Sequence, residues 1–79
     1  MYYVYLLKLS TGEPYVGSTP NLQRRLREHE RGNCKSTKGA LPFVLMSYYC
    51  FRERMIALRF ERYLKSGSGR AFRVRHFGF

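Results

Sequence analysis

The order of segments in this chain predicts an α+β domain: a three-stranded antiparallel sheet with packed helices, in the order β-β-α-β-α-α. Three observations carry that prediction. Two runs rich in Tyr, Val and Leu, Tyr2 to Leu9 and Glu13 to Gly17, are joined by Ser10-Thr11-Gly12, the composition of a hairpin. A third apolar, β-prone run spans Phe43 to Phe51. Elsewhere the apolar residues recur at helical rather than strand intervals. With 79 residues the chain makes one domain, 1–79. A domain this short buries only about 60% of the surface its unfolded form exposes, so the core has to be compact and aromatic. Seven Tyr and six Phe meet that demand.

The first hairpin fixes a register. A three-residue loop with glycine third matches a type I turn followed by a left-handed residue, and it pairs Leu9 with Glu13, Leu7 with Tyr15, and Tyr5 with Gly17. Tyr5 and Tyr15 then share one face as diagonal neighbours, roughly 7 to 8 Å apart at the backbone. Pro14 cannot donate to the ladder, which puts the second strand at the sheet edge and the first in the middle. Thr19-Pro20 reads as a helix start, with Thr19 as cap and Pro20 at the first helical position, and Gly32 reads as the stop. Leu22, Leu26 and His29 form the sheet-facing side of that helix, with Arg25 on its flank and Arg24, Arg27 and Arg31 projecting away. Residues 33–42 make a polar, basic loop. After the third strand, Ile56, Phe60, Tyr63 and Leu64 mark a helix from Glu53 to Lys65, and Glu61 lies at the border of its apolar face. Ser66-Gly67-Ser68-Gly69 reads as a linker that breaks this helix, and Arg70 to Arg75 as a short last helix ended near Gly78.

Charge narrows the partner. Fifteen Lys and Arg face five Asp and Glu, a formal net charge of +10, which favours a polyanion. Before residue 24 the only basic side chain is Lys8; the remainder cluster from Arg24 to Lys38 and from Arg52 to Arg75. Arg24, Arg27, Arg31, Lys35, Lys38 and Arg70 are the candidate phosphate contacts, and DNA is the expected partner, with RNA left open. No apolar stretch approaches the roughly 20 residues of a membrane-spanning helix, and the N-terminal residues lack the order of a signal peptide, so no membrane partner and a cytoplasmic location are expected. Cys34 and Cys50 read as reduced thiols. With His29 and His76 they lack the short paired spacings of a structural zinc site.

Tyr5, Tyr15, Arg25 and His29 stand at regular intervals through the N-terminal third. Two phenols, a guanidinium and an imidazole suit phosphodiester chemistry, which needs an attacking water, a proton acceptor and positive charge on the phosphate. Each residue also has a plain structural role open to it: the tyrosines as hairpin core, His29 as the end of a helix, and Glu61 as the i, i+4 partner of Lys65.

In these residues the chain resembles the GIY-YIG nuclease domain, and in particular the small stand-alone bacterial members similar to the catalytic domain of the excinuclease. Tyr3-Val4-Tyr5 stands where the family has Gly-Ile-Tyr, Tyr15-Val16-Gly17 where it has Tyr-Ile-Gly, and Leu22 to His29 matches the helix that follows. Glu61 falls where the family carries its metal-binding glutamate, and Tyr63 to Phe72 resembles the C-terminal signature of the small members. Tyr3 replaces the first glycine, Ser18 stands where excinuclease-type members have lysine, and no late asparagine follows Asn33. The resemblance implies a DNA endonuclease, structure-specific or weakly sequence-specific, in repair or recombination. Its Glu61 would hold one Mg²⁺ or Mn²⁺, and its Arg25 would bind the phosphate. Tyr5 or Tyr15 would take a proton from water, with a phenol pKa lowered by positive surroundings. His29 would assist proton transfer or bind phosphate, and the products would carry 5′-phosphate and 3′-hydroxyl ends. A binding module without catalysis, or an interaction subunit for a repair or nuclease protein, is the alternative on the same fold.

Overall fold

The computed structural model describes residues 1–79. The elements are β1 (Tyr2–Lys8), β2 (Pro14–Thr19), α1 (Leu22–Glu30), a 3-10 turn at Lys38–Ala40, β3 (Val44–Phe51), α2 (Arg54–Leu64) and α3 (Gly67–Phe77). The sheet has the order β2-β1-β3 and is antiparallel throughout, as the sequence predicts. Leu7 pairs with Tyr15 and Tyr5 with Gly17, the register set by the hairpin loop, whose Leu9 N–H donates to Glu13 O at 2.9 Å. β1 is the central strand, and Val4, Tyr5, Leu6 and Leu7 are all buried.

Alternation along the strands gives the sheet two different faces. On one, Val4 packs with Ala57 and Leu64, and Val16, Tyr49, Phe60 and Phe72 close around them. Phe60 is the hub of this aromatic side, 4.7 Å from the Tyr49 ring and 5.4 Å from Phe51. Each fully buried large apolar side chain here contributes about 1.5–3 kcal/mol. On the other face Tyr5 and Tyr15 meet His29 of α1.

Two helix starts differ from the sequence reading, one because a side chain is used elsewhere and the other because the packing needs a position without one. Thr19 does not cap α1. It stays in β2 opposite Tyr3, and its hydroxyl accepts from Asn21 N–H at 3.1 Å, turning the chain through Pro20. Asn21 is the cap, accepting from Arg24 N–H at 3.0 Å. Gly67-Ser68-Gly69 is not a linker but the first turn of α3, with Ser66 as cap accepting from Gly69 N–H. Glycine is a poor helix former. Here backbone contact decides, because a Cβ on Gly69 would collide with the Tyr63 carbonyl oxygen and the Leu64 Cα. α3 therefore seats on the end of α2 only where it has no side chain.

Gly69→Ala should lower the thermal midpoint by several degrees, since overpacking costs about 1–3 kcal/mol and each kcal/mol is worth about 4–8 °C in a domain of this size. Gly67→Ala, with open space at its Cβ, should leave the midpoint unchanged or raise it. Melting followed by circular dichroism compares the two, and equal losses would refute the close-contact account.

Candidate active site

The site begins with a buried polar chain. β1 carries Tyr5 inward and α1 carries His29 to meet it, with the Tyr5 hydroxyl 2.8 Å from His29 Nε2. On the other side of the ring, His29 Nδ1 lies 2.8 Å from the Thr37 hydroxyl. His29 and Thr37 are both 0% exposed and Tyr5 is 1% exposed. His29 therefore does not finish a helix in solvent; it is a core residue. Burial, with the Arg25 cation adding to it, holds the His29 pKa below its ordinary value, so the ring is neutral. A neutral imidazole has one donor and one acceptor nitrogen, and two hydroxyls satisfy both in either tautomer.

Tyr15 stacks its ring edge on this chain, 5.1 Å from the His29 ring and 6.2 Å from Tyr5. Between the strands Gly17 supplies the room: a Cβ there would collide with the Tyr5 hydroxyl oxygen. Arg25, one turn before His29, donates to Glu28 Oε1 at 2.9 Å and lies 3.5 Å from the Cys34 sulfur. Tyr15 Oη lies 4.0 Å from the same sulfur. The Cys34 side chain is thus the buried floor between Arg25 and Tyr15, a place that its isolated position in the sequence did not signal.

The expected lowering of the phenol pKa does not occur. Burial pushes Tyr5 up to about 12, although Arg25 partly offsets it. Tyr15 is also raised, by burial first and Cys34 second, against the pull of Arg25. One guanidinium shared with Glu28 does not outweigh the removal of two phenols from water.

Glu61 occupies the opposite side. Ser18 and Val16 point to the α2 face of β2, and the Ser18 hydroxyl donates to Glu61 Oε1 at 2.7 Å. Lys65 Nζ donates to Oε2 at 2.8 Å. Burial works to raise the Glu61 pKa, but the hydrogen bonds from Lys65 and Ser18 and the Lys65 charge hold it below the usual carboxylate range. Tyr5, Tyr15, Arg25 and His29 make no hydrogen bond to it; the two halves of the set sit on either face of edge strand β2. Ser18, the residue that replaces lysine in the resemblance, is therefore what anchors this carboxylate. No group of three or more His, Cys, Asp or Glu side chains gathers here. An ionised carboxylate standing alone fits Mg²⁺ or Mn²⁺, which keep most of their waters or take substrate oxygens, and does not fit zinc.

Arg24, Arg27, Arg31, Lys35, Lys38 and Arg70 are all exposed. Arg24 and Arg27 lie along α1 and Arg31 caps its C-terminal end; Arg24 approaches Glu28 at 3.9 Å, whereas Arg70 lies on α3 beyond the β2 edge.

A sequence profile described as the GIY-YIG catalytic domain matches residues 1–74. The chain belongs to the GIY-YIG family. Its relatives include a UPF0213 protein of Haloquadratum walsbyi, 39% identical over 66 residues that make up 82% of this chain and 74% of the relative. One from Nitratidesulfovibrio vulgaris is also 39% identical over 66 residues, 82% of this chain but only 60% of that protein. The solution NMR structure of the UPF0213 protein BH0048 from Bacillus halodurans superposes with a TM-score of 0.61 at 33% identity, covering 99% of this chain and 87% of that one. This GIY-YIG domain thus shares the nuclease-type fold of a group of small proteins. None of its helices is long and apolar enough to cross a membrane.

The buried imidazole gives this GIY-YIG domain a pH signature. Its folded pKa lies below the 6.5 of the exposed group, so beneath pH 6.5 the unfolded chain binds a proton that the folded one refuses. The His29 contribution to stability is complete above that pH and declines as the pH falls below it, by at most about 1.4 kcal/mol per pH unit. Urea midpoints at pH 7.5 and 5.5 should differ in that direction, and a flat wild-type profile would mean that His29 titrates alike in the folded and unfolded chains.

Proposed function

We propose that this protein is a divalent-metal-dependent endonuclease that hydrolyses phosphodiester bonds of DNA, structure-specific or weakly sequence-specific, acting in the cytoplasm in repair or recombination. The observation that carries this reading is the Tyr5–His29–Thr37 chain, a fully satisfied polar core with Tyr15 and Arg25 set against it. A domain needing only stability would lose little from apolar groups of the same shape at those positions.

The roles follow from exposure and charge. Arg25 stays protonated and presents planar donors to a phosphate. Glu28 is its carboxylate partner, at 2.9 Å. Tyr5 is sealed from solvent, so it positions; Tyr15 is half-buried and reaches the surface groove beside it, so it meets the attacking water. Because Arg25 has only donors to offer and partly offsets the burial of Tyr5, we assign the Tyr5 O–H as donor to His29 Nε2 and the Nδ1–H as donor to Thr37. That tautomer fixes the aromatic wall on which Tyr15 rests. With a raised pKa, the Tyr15 phenolate is a scarce but strong base for the water proton. Glu61 would hold the cation, giving up the Lys65 contact at Oε2, and when bound the cation neutralises charge on the phosphate and leaving oxygen.

One observation favours a second reading, binding without cleavage: both Glu61 oxygens already have protein donors, Ser18 and Lys65. Cleavage of end-labelled single-stranded, duplex and flap DNA with Mg²⁺, Mn²⁺ or EDTA separates the two. The nuclease reading expects metal-dependent products, reduced about 10²- to 10³-fold in Arg25→Ala and Glu61→Ala, whose circular dichroism should match wild type. Wild-type protein that leaves all three substrates intact with both metals would sink it. In the same assay the rate should climb about tenfold per pH unit from pH 7 towards 9, as the Tyr15 phenolate fraction grows. Tyr15→Phe should abolish the product and the slope together; retained slope would move the base to another group.

A further inference from the structure

The two halves of the site lie on opposite faces of the sheet, and a groove of about 670 Å³ runs past the β2 edge that separates them. Tyr15 and Ser36 line it from the α1 side, and Lys65, Arg70 and Arg73 from α2 and α3. No carboxylate lines it. The outer face of α1 offers a contrast: the depression beside Arg27 includes Glu30, and Arg24 approaches Glu28 at 3.9 Å. The groove cations are not equivalent. Lys65 is held by Glu61 at 2.8 Å, and Arg73 Nε donates to the Phe79 carbonyl oxygen while its guanidinium lies 5.3 Å over the Phe79 ring. Arg70 is exposed and forms no ion pair.

We infer that this groove is the track of the nucleic-acid strand flanking the scissile phosphate, with Arg70 as its free phosphate contact. The inference rests on the nuclease reading and gives it a direction. A phosphate reached by both Tyr15 and Glu61 has to cross the β2 edge, and the backbone on one side of it then lies in the depression that Tyr15 already lines. Pro14, Val16 and Leu64, which line the groove between the cations, have no side-chain hydrogen-bonding groups to read base edges. The polar contacts it offers are the hydroxyls of Tyr15, Ser36 and Ser66 and the three cations, groups suited to phosphate and sugar contact. The basic face of α1 is not part of this path, and of the six exposed cations the sequence nominated, Arg70 is the one that lines the groove.

The test is the salt dependence of binding, measured by fluorescence anisotropy in EDTA with labelled single-stranded and duplex DNA and single-stranded RNA of equal length. Arg70→Gln should reduce the slope of log affinity against log salt by about 0.7 for a single strand or about 0.9 for a duplex, the value of one neutralised phosphate. Arg70→Lys should keep the wild-type slope, because the charge remains. Arg59→Gln, an exposed charge change on α2 away from the groove, should not alter it. An unchanged slope in Arg70→Gln, or a loss of slope in Arg27→Gln instead, would overturn the groove while leaving the nuclease reading in place. Wild-type protein that binds none of the three strands would remove both. A slope loss in Arg70→Gln seen only with RNA would keep the groove and change the substrate assigned to the enzyme.

Discussion

A polar ring in a core this small has to have both nitrogens bonded, and that requirement organises the domain. An unsatisfied buried polar group costs about 1–3 kcal/mol, a large part of what a domain of this size has in reserve. His29 avoids that cost only because β1 brings Tyr5 to one nitrogen and the loop after α1 brings Thr37 to the other. The chain of three side chains thus ties strand, helix and loop together at one place. Thr37 N–H and Lys38 N–H both return to the Cys34 carbonyl, at 3.1 and 3.0 Å, which curls that loop so that Thr37 reaches inward.

The same requirement explains local choices that look unrelated in the sequence. The hairpin register sets Gly17 opposite Tyr5, where a side chain would collide with the phenol. Asn21 rather than Thr19 starts α1, because Thr19 is needed to turn the chain out of β2. Burial then sets the chemistry: it keeps His29 neutral and both tyrosines protonated, so the Arg25–Glu28 pair is what remains charged beside them. The opposite face has the complementary character, with one ionised carboxylate held by a hydroxyl and an ammonium. An edge strand separates them, and only a ligand extending across that edge can use both.

Much of this was legible without coordinates. Period-two alternation, the Ser10-Thr11-Gly12 loop and Pro14 were enough to order the sheet and to bring Tyr5 and Tyr15 to one face, because strand register is a local property of a short hairpin. Helical spacing put Leu22, Leu26 and His29 on one side of α1 for the same reason. What went unread were contacts between residues distant in sequence. Thr37 and Cys34 sit in a loop with no periodicity, and nothing in their neighbours marks them as buried. Gly67 and Gly69 carry the composition of a linker, and only the seat of α3 on α2 shows why a helix needs glycine at position 69.

The sequence by itself determined the elements, their order, the pairing of the hairpin and the residue types that can handle a phosphate, since each of these depends on neighbours within a few positions along the chain. The tertiary structure alone decided how those residues behave. It raised two phenols that nearby positive charge was expected to lower, because burial depends on what the rest of the chain stacks above a residue. It also set Glu61 across an edge strand from the tyrosines and left Arg70 unpaired beside that edge, because only the packing of α2 and α3 against the sheet fixes which charges find partners.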